Sequence, residues 1–187
     1  MSAIYEEIKI SPGVVVQMDG NKISVKGPKG EVQRDFSHVT SIEIRKSGDT
    51  LIIRPLTSRK RDRSLVMTLK TQINNMILGV TKGFEYKLKV AHSHFPITVK
   101  VDKDRRLVHV ENFIGERTPR NADIEGNVEV VVKGDDVIVS GADRQAIGQT
   151  AANIEKVCRI KDKDPRVFQD GIYLYEVYCG NELLKKI

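Results

Sequence analysis

The densest run of cationic side chains in the sequence is Arg59-Lys60-Arg61-Asp62-Arg63. If this run were only a solvated loop at the start of a helix, its cations would be slightly unfavourable beside the positive end of the helix dipole. Contact with phosphates explains the run better, because Lys and Arg gain affinity for a polyanion by displacing its counterions. We therefore predict that Arg59, Lys60, Arg61 and Arg63 contact a polyanion.

Two further groups of cations lie in the second half of the chain. Arg117 and Arg120 flank Pro119 in a stretch that is typical of a long loop, residues 111–120. The other group alternates with Asp162 and Asp164, so a self-compensated surface is the alternative to phosphate contact there. It consists of Arg159, Lys161, Lys163 and Arg166.

Other residues are of types that bind metals or act in catalysis, but the sequence does not place the additional ligands or catalytic partners beside them. His92 and His94 would face the same side if they lay on a strand, yet a metal site requires three or four ligands and no cluster of metal-binding spacing accompanies them. Cys158 falls on the apolar side of an amphipathic helix, where inert packing is the ordinary role. Carboxylate pairs such as Asp135-Asp136 occur in turns or near the terminus. We predict no catalytic residue, no metal site and no cofactor.

Charge and composition favour a soluble protein with a polyanionic partner. The 187 residues carry a formal net charge of +6, with a pI of about 9.3. Residues 1–82 hold 14 Lys+Arg and 8 Asp+Glu, whereas residues 83–187 hold 17 of each. No apolar run approaches the ~18 residues that span a bilayer, and the first ten residues do not resemble a signal peptide. Two cysteines without a CxxC motif predict reduced thiols, so we expect a cytoplasmic location without membrane contact.

Internal similarity predicts a duplicated unit. Ile23-Ser-Val-Lys26 resembles Ile97-Thr-Val-Lys100, at an offset of 74 positions. Gly48 to Ile53 resembles Gly134 to Val139 at an offset of 86, and Thr71 to Asn74 resembles Thr150 to Asn153 at an offset of 79. The changes in offset place extra residues in the second half before Gly134 and in the first half at residues 54–63. Both intervals contain arginines, and insertions relative to a repeat are often binding loops.

Hydrophobic periodicity gives each half the same content of strands and one helix. Strands are predicted at residues 14–18, 22–26, 41–45 and 50–54, and then at 84–90, 97–101, 107–110, 128–132, 137–140 and 172–178. Apolar residues from Leu65 to Val80 recur at helical spacing, and a second helix is predicted to begin at Asp143. The predicted fold class is α+β, with two tandem copies of a small antiparallel sheet that has one helix packed on one face. The copies are residues 1–81 and 82–187, the second carrying a C-terminal tail.

The ordered motifs resemble the family of the universal large-subunit ribosomal protein six. Ile73-Asn-Asn-Met76 and Gly79-Val-Thr-Lys-Gly-Phe84 are similar to its first helix and interdomain joint. Ala91-His-Ser-His-Phe-Pro96 and Gly148-Gln-Thr-Ala-Ala-Asn-Ile154 are similar to motifs of its second domain. The tail Arg166-Val-Phe-Gln-Asp-Gly-Ile-Tyr173 resembles the archaeal and eukaryotic branch.

The resemblance implies a non-enzymatic structural constituent of the large ribosomal subunit. It also implies that the second domain binds large-subunit ribosomal RNA near the sarcin–ricin loop and the factor-binding region, with neighbouring ribosomal proteins as partners and translation factors in proximity. The matching positions here are Arg117, Arg120 and residues 159–166, to which Arg105 and Arg106 could contribute. A free-standing RNA-binding or RNA-chaperone module is the alternative, and a small hydrolase is a more distant one.

Overall fold

A computed structural model describes residues 5–57, 59–164 and 166–187. The parts of the predicted segments that fall on residues 1–4, Ser58 and Pro165 lie outside this range. Contacts between α-carbons divide the chain into two compact units, Met1–Lys82 (unit 1) and Gly83–Ile187 (unit 2).

Unit 1 combines two three-stranded antiparallel sheets with one long helix. Alternation of buried and exposed residues builds the strands, since Ile23 and Val25 are fully buried on one strand and Leu51 and Ile53 on another. The sheets have the strand orders β1-β6-β5 and β2-β3-β4. The elements are β1 (Glu6–Lys9), β2 (Val15–Asp19), β3 (Lys22–Gly27), β4 (Gly30–Asp35), β5 (Ile42–Ser47), β6 (Thr50–Pro55) and α1 (Lys60–Thr81).

Helix α1 buries one apolar stripe against this scaffold, as its periodicity predicts. Val66, Leu69, Ile73 and Val80 are each at most 3% exposed, so the stripe extends to the last turn. Gly27 is required where β3 passes this turn, because a Cβ there would lie 2.8 Å from the carbonyl oxygen of Val80. The same carbonyl accepts a hydrogen bond from the Lys29 backbone at 2.9 Å. The glycine thus lets the β3–β4 turn contact the end of the helix.

Unit 2 contains a five-stranded antiparallel sheet, a three-stranded antiparallel sheet and helix α2. The strand orders are β11-β12-β7-β13-β14 and β10-β9-β8. Leu88, Val137, Val139, Ile147 and Ile154 are fully buried and form the centre of the core between the large sheet and the helix. The elements are β7 (Phe84–Ala91), β8 (Thr98–Asp102), β9 (Leu107–Glu111), β10 (Arg120–Asp123), β11 (Val128–Lys133), β12 (Asp136–Gly141), α2 (Arg144–Val157), β13 (Gly171–Cys179) and β14 (Glu182–Lys186).

Strand order confirms the predicted fold class of two tandem α+β copies. The order β11-β12-β7 repeats β5-β6-β1, the order β10-β9-β8 repeats β4-β3-β2, and in each copy the helix follows the central strand of the first set. The tail then adds β13 and β14 beside β7. One detail of the repeat was wrong: Ile23 to Lys26 lies in β3, the central strand of its sheet, whose counterpart is β9 and not the strand that contains Val99.

The insertion in unit 2 is consequently shorter than the sequence offsets indicate, and it lies between β9 and β10. β3 and β4 are separated by Pro28 and Lys29 alone, whereas β9 and β10 are separated by residues 112–119. The extra residues of unit 1 belong to its helix, because Lys60, Arg61 and Arg63 lie in the first turn of α1 with Arg59 as the N-cap. None of the helices of the described chain is long and apolar enough to cross a membrane.

Candidate nucleic-acid interface

The β9–β10 loop, residues 112–119, is folded back on itself by left-handed backbone geometry. Asn112, Ile114 and Gly115 have φ angles of 57°, 51° and 76°. This compact path turns Phe113 into the core, where it is 1% exposed, and leaves Arg117 exposed at the tip. Ile114 is β-branched, and such residues rarely adopt a positive φ. The packing of Phe113 must therefore hold the loop in this conformation.

Arg120, at the start of β10, ties this loop to the end of helix α2. Its Nε and one terminal nitrogen donate to the two carboxylate oxygens of Glu116 at 2.8 and 2.6 Å. Its other terminal nitrogen donates to the backbone carbonyls of Val157, at 2.7 Å, and of Arg159, at 3.2 Å. The guanidinium also lies 4.4 Å from the centre of the Phe113 ring.

The electrostatics follow from this geometry. The hydrogen bond from Arg120 lowers the pKa of Glu116, and the same bond raises the pKa of Arg120 itself. The cation also satisfies carbonyls at the negative end of the helix dipole. The side chain of Arg120 is 27% exposed and most of its donors are used, so its position is structural.

Asp170 forms the second link, between the tail and the segment that follows β7. This carboxylate is 1% exposed and accepts hydrogen bonds from the Ser93 backbone at 2.6 Å and from Nδ1 of His94 at 2.9 Å. Burial would raise the pKa of Asp170, but the hydrogen bonds from Ser93 and His94 outweigh it and the pKa is lowered. The His94 ring also stacks on Phe168 with the ring centres 4.6 Å apart.

A third link joins that segment to the β9–β10 loop. The Asn112 side chain donates to the Pro96 carbonyl at 2.9 Å. A Cβ at Gly115 would lie 3.3 Å from the Phe95 ring, which shows how closely the two segments pack. Residues 92–97, 112–119 and 159–170 (apart from Pro165) therefore form one surface, which we call the three-segment surface.

Five predicted cations lie exposed on the three-segment surface: Arg117, Arg159, Lys161, Lys163 and Arg166. Within residues 5–57, 59–164 and 166–187 none of them forms an ion pair. The nearby acids are directed elsewhere, since Asp164 accepts from the Arg166 backbone at 2.9 Å and Glu116 is engaged by Arg120. Lys163 lies 4.7 Å from the centre of the Phe168 ring. The alternation with Asp162 and Asp164 thus does not neutralise these cations by pairing.

The remaining predicted cations lie elsewhere. Arg105 and Arg106 occupy the β8–β9 turn, at the opposite end of β9 from the β9–β10 loop, and five residues of strand separate the two ends by about 17 Å. Arg105 is also 3.9 Å from Asp102. In unit 1, Arg59, Lys60, Arg61 and Arg63 are all exposed around the first turn of α1. Asp62, in the same turn, is buried, and hydrogen bonds from Thr57 and Ser41 lower its pKa.

The residues considered for catalysis or metal binding, Cys158 and His94, are held in contacts that stabilise the fold. Burial raises the pKa of Cys158 to about 12, so the thiol is protonated at neutral pH and unsuited to nucleophilic attack. His94 is engaged by Asp170, and the described part of the chain contains no cluster of three or more His, Cys, Asp or Glu side chains that could hold a metal ion.

Two residues that build the surface were not singled out from the sequence, namely Glu116 and Asp170. Glu116 could have been found from its spacing, because an acid four positions before Arg120 is a candidate pair. Asp170 lies inside a motif that the family resemblance used, but no local pattern assigns it a contact.

Comparison with known proteins gives a consistent result. A family model described as Ribosomal protein L6 matches residues 10–83 and 95–171. A protein of Staphylothermus marinus named large ribosomal subunit protein uL6 is 52% identical over 174 residues, which cover 92% of this chain and 94% of the relative. Proteins with the same name from Methanobrevibacter smithii and Sulfurisphaera tokodaii are each 47% identical over 173 residues, covering 92% of this chain and 96% and 92% of the relatives.

Proposed function

The chain belongs to the Ribosomal protein L6 family, and from this premise we propose that unit 2 binds large-subunit ribosomal RNA through the three-segment surface. The protein is a structural constituent of the large ribosomal subunit in the cytoplasm, and its family is not one of enzymes. The hydrolase alternative is therefore wrong. The proposed contact lies near the sarcin–ricin loop and the factor-binding region, as the family resemblance implies.

One observation carries the proposal: two segments, 112–119 and 159–170, are held together through residues 92–97 and bring five exposed cations, unpaired among the described residues, to one side of a unit whose formal charge is zero. Several acids elsewhere in the unit form ion pairs with lysines, for example Glu111 with Lys100 at 2.8 Å and Asp136 with Lys89 at 3.2 Å. Neutrality of the whole unit is thus compatible with a strongly cationic side. Such a side binds the phosphate backbone by counterion release, and structured RNA is read mainly through its shape and backbone.

The roles within the surface differ. Arg117, Arg159, Lys161, Lys163 and Arg166 pair with phosphates, whereas Arg120 is a positioning residue that fixes the loop against the helix end. Arg105 and Arg106 touch RNA only where it extends along β9, and the cations at the start of α1 form a separate, weaker contact of unit 1.

The proposal is tested by replacing the five exposed cations with glutamine. We expect the affinity for a large-subunit ribosomal RNA transcript to fall at least about tenfold at fixed salt, because several cations that pair with phosphates are removed together. Retention on large subunits after a high-salt wash should fall in parallel. A matched control replaces five exposed lysines of unit 2 outside the surface, Lys100, Lys103, Lys133, Lys185 and Lys186, and changes the net charge equally. Equal decreases in both variants would reduce the effect to net charge and reject the assigned surface.

A further inference from the structure

A groove of about 580 Å³ opens beside the cations of the three-segment surface, between the last turns of α2 and the start of β13. Its walls are largely apolar, from Ala152, Ile160 and Ile172, and Lys156 and Arg159 also line it. Glu155 is part of the wall too, but its carboxylate accepts a hydrogen bond from the Leu174 backbone at 2.7 Å and is thus engaged by the sheet. The groove therefore combines an apolar floor with cations.

Tyr173 projects from β13 into this groove in a fixed orientation. Its ring lies directly over Gly171, since a Cβ there would be 2.8 Å from the ring carbon that bears the hydroxyl. The hydroxyl donates to the Gln169 carbonyl at 3.0 Å. The side chain nevertheless remains 49% exposed. An aromatic ring that is held at both ends and left open to solvent has little conformational entropy to lose when a flat ligand stacks on it.

We propose that this groove holds one unpaired nucleobase of the bound RNA, stacked on Tyr173, while Lys156 and Arg159 pair with the adjoining phosphate. Phe168 is less suited to this role, because His94 already stacks on it. Stacking on aromatic side chains is the general means by which proteins hold single-stranded bases, and nearby cations follow the backbone. The inference rests on the proposed function and adds an unpaired nucleotide to a surface that otherwise contacts phosphates.

The test compares two ligands of equal charge with the full-length protein: a single-stranded RNA of about ten adenosines and an abasic ribose-phosphate oligomer of the same length. Wild type should bind the base-containing ligand roughly tenfold more tightly, which is the level expected from stacking of one base. Tyr173→Leu should abolish this preference and Tyr173→Phe should keep most of it. Lys156→Gln with Arg159→Gln should weaken binding of both ligands by a similar factor.

Gly171→Ala provides a second variant, which displaces the tyrosine ring without removing it. Its new Cβ would overlap the ring, so the preference for bases should fall while binding of the abasic oligomer stays unchanged. Thermal unfolding of each variant verifies the fold.

A base preference that survives in both Tyr173→Leu and Gly171→Ala would overturn the groove inference. If the variant that lacks the five surface cations also bound ribosomal RNA like wild type, the proposed function itself would fail, so the two failures are distinguishable.

Discussion

Arg117 and Arg120 lie three positions apart in the sequence, where they are indistinguishable as basic loop residues. The structure separates them: Arg117 is exposed, whereas Arg120 binds Glu116 and two carbonyls at the end of α2. The sequence could predict that this loop is basic and inserted. It could not predict which arginine forms hydrogen bonds within the fold, because its partner is a helix end 37 residues further along the chain.

Replacing Arg120 should therefore affect stability, and replacing Arg117 should affect binding. For Arg120→Met we expect the free energy of unfolding to fall by about 1–3 kcal/mol, since the Val157 carbonyl and the Glu116 carboxylate lose a charged donor. Arg117→Met should change stability by less than about 0.5 kcal/mol, as is usual at exposed positions. Urea denaturation of the two variants beside wild type measures both values. Equal stability of the two variants would contradict the structural role of Arg120.

Asp170 should make the junction between the tail and residues 93–94 sensitive to acid. Its pKa is lowered from the usual value of 3.8, so the ionised carboxylate stabilises the folded state fully above that value. The contribution is lost as the pH falls below 3.8 and through the folded-state pKa. Asp170→Asn should consequently be less stable than wild type at about pH 6, with the difference shrinking below about pH 3.8. Urea unfolding at a series of pH values measures it, and a difference independent of pH would contradict the assignment.

Helices α1 and α2 begin in opposite ways. The Asp143 side chain caps α2 by accepting from the Gln145 backbone at 2.9 Å, as the sequence predicts. Arg59 occupies the N-cap of α1 and makes no side-chain cap hydrogen bond. Cations in a first turn oppose the helix dipole, so α1 gives up stability at this end.

Substitutions at the two N-cap positions test this contrast. Asp143→Ala should lower the free energy of unfolding by about 0.5–2 kcal/mol, whereas Asp143→Asn should retain most of the stability because it keeps an acceptor. Arg59→Asp should raise stability by about 0.5–1 kcal/mol through a new cap and a better dipole interaction. Thermal and urea denaturation measure all three variants. If Arg59→Asp destabilised the protein, the unfavourable cap and charge assigned to this helix start would be wrong.

Every strand that the sequence analysis missed is an edge strand, whereas the edge strands β2, β5, β8 and β11 were predicted together with all the central strands. The strands missed in the sequence were β1, β4, β10 and β14, and each lies at the edge of its sheet. Edge strands are often short and charged. β10 buries only Ala122 and β14 buries no residue at all, so their pairing is determined by neighbours distant in sequence. The central strands, with two or more buried aliphatic residues each, were predictable.

At the scale of the whole molecule, the excess of positive charge and the proposed RNA-binding surface lie in different units. Unit 1 carries the net charge of +6 and unit 2 carries none. Mean charge would assign RNA binding to unit 1, whereas the structure groups exposed cations, unpaired among the described residues, on the three-segment surface of unit 2. Counterion release depends on how many phosphates are neutralised locally, so the grouping should decide the affinity.

The dependence of RNA binding on salt should therefore respond more to unit 2 than to unit 1. The slope of log Kobs against log salt should become shallower by about 0.7–0.9 for each phosphate that is no longer neutralised. Replacing Arg117, Arg159, Lys161, Lys163 and Arg166 with glutamine should flatten it several times more than replacing Arg59, Lys60, Arg61 and Arg63. Titration of a ribosomal RNA transcript over a range of salt concentrations with both variants measures the two changes. If each replaced cation flattened the slope equally in the two units, net charge would govern binding, and the one-sided surface of unit 2 would have no special part in it.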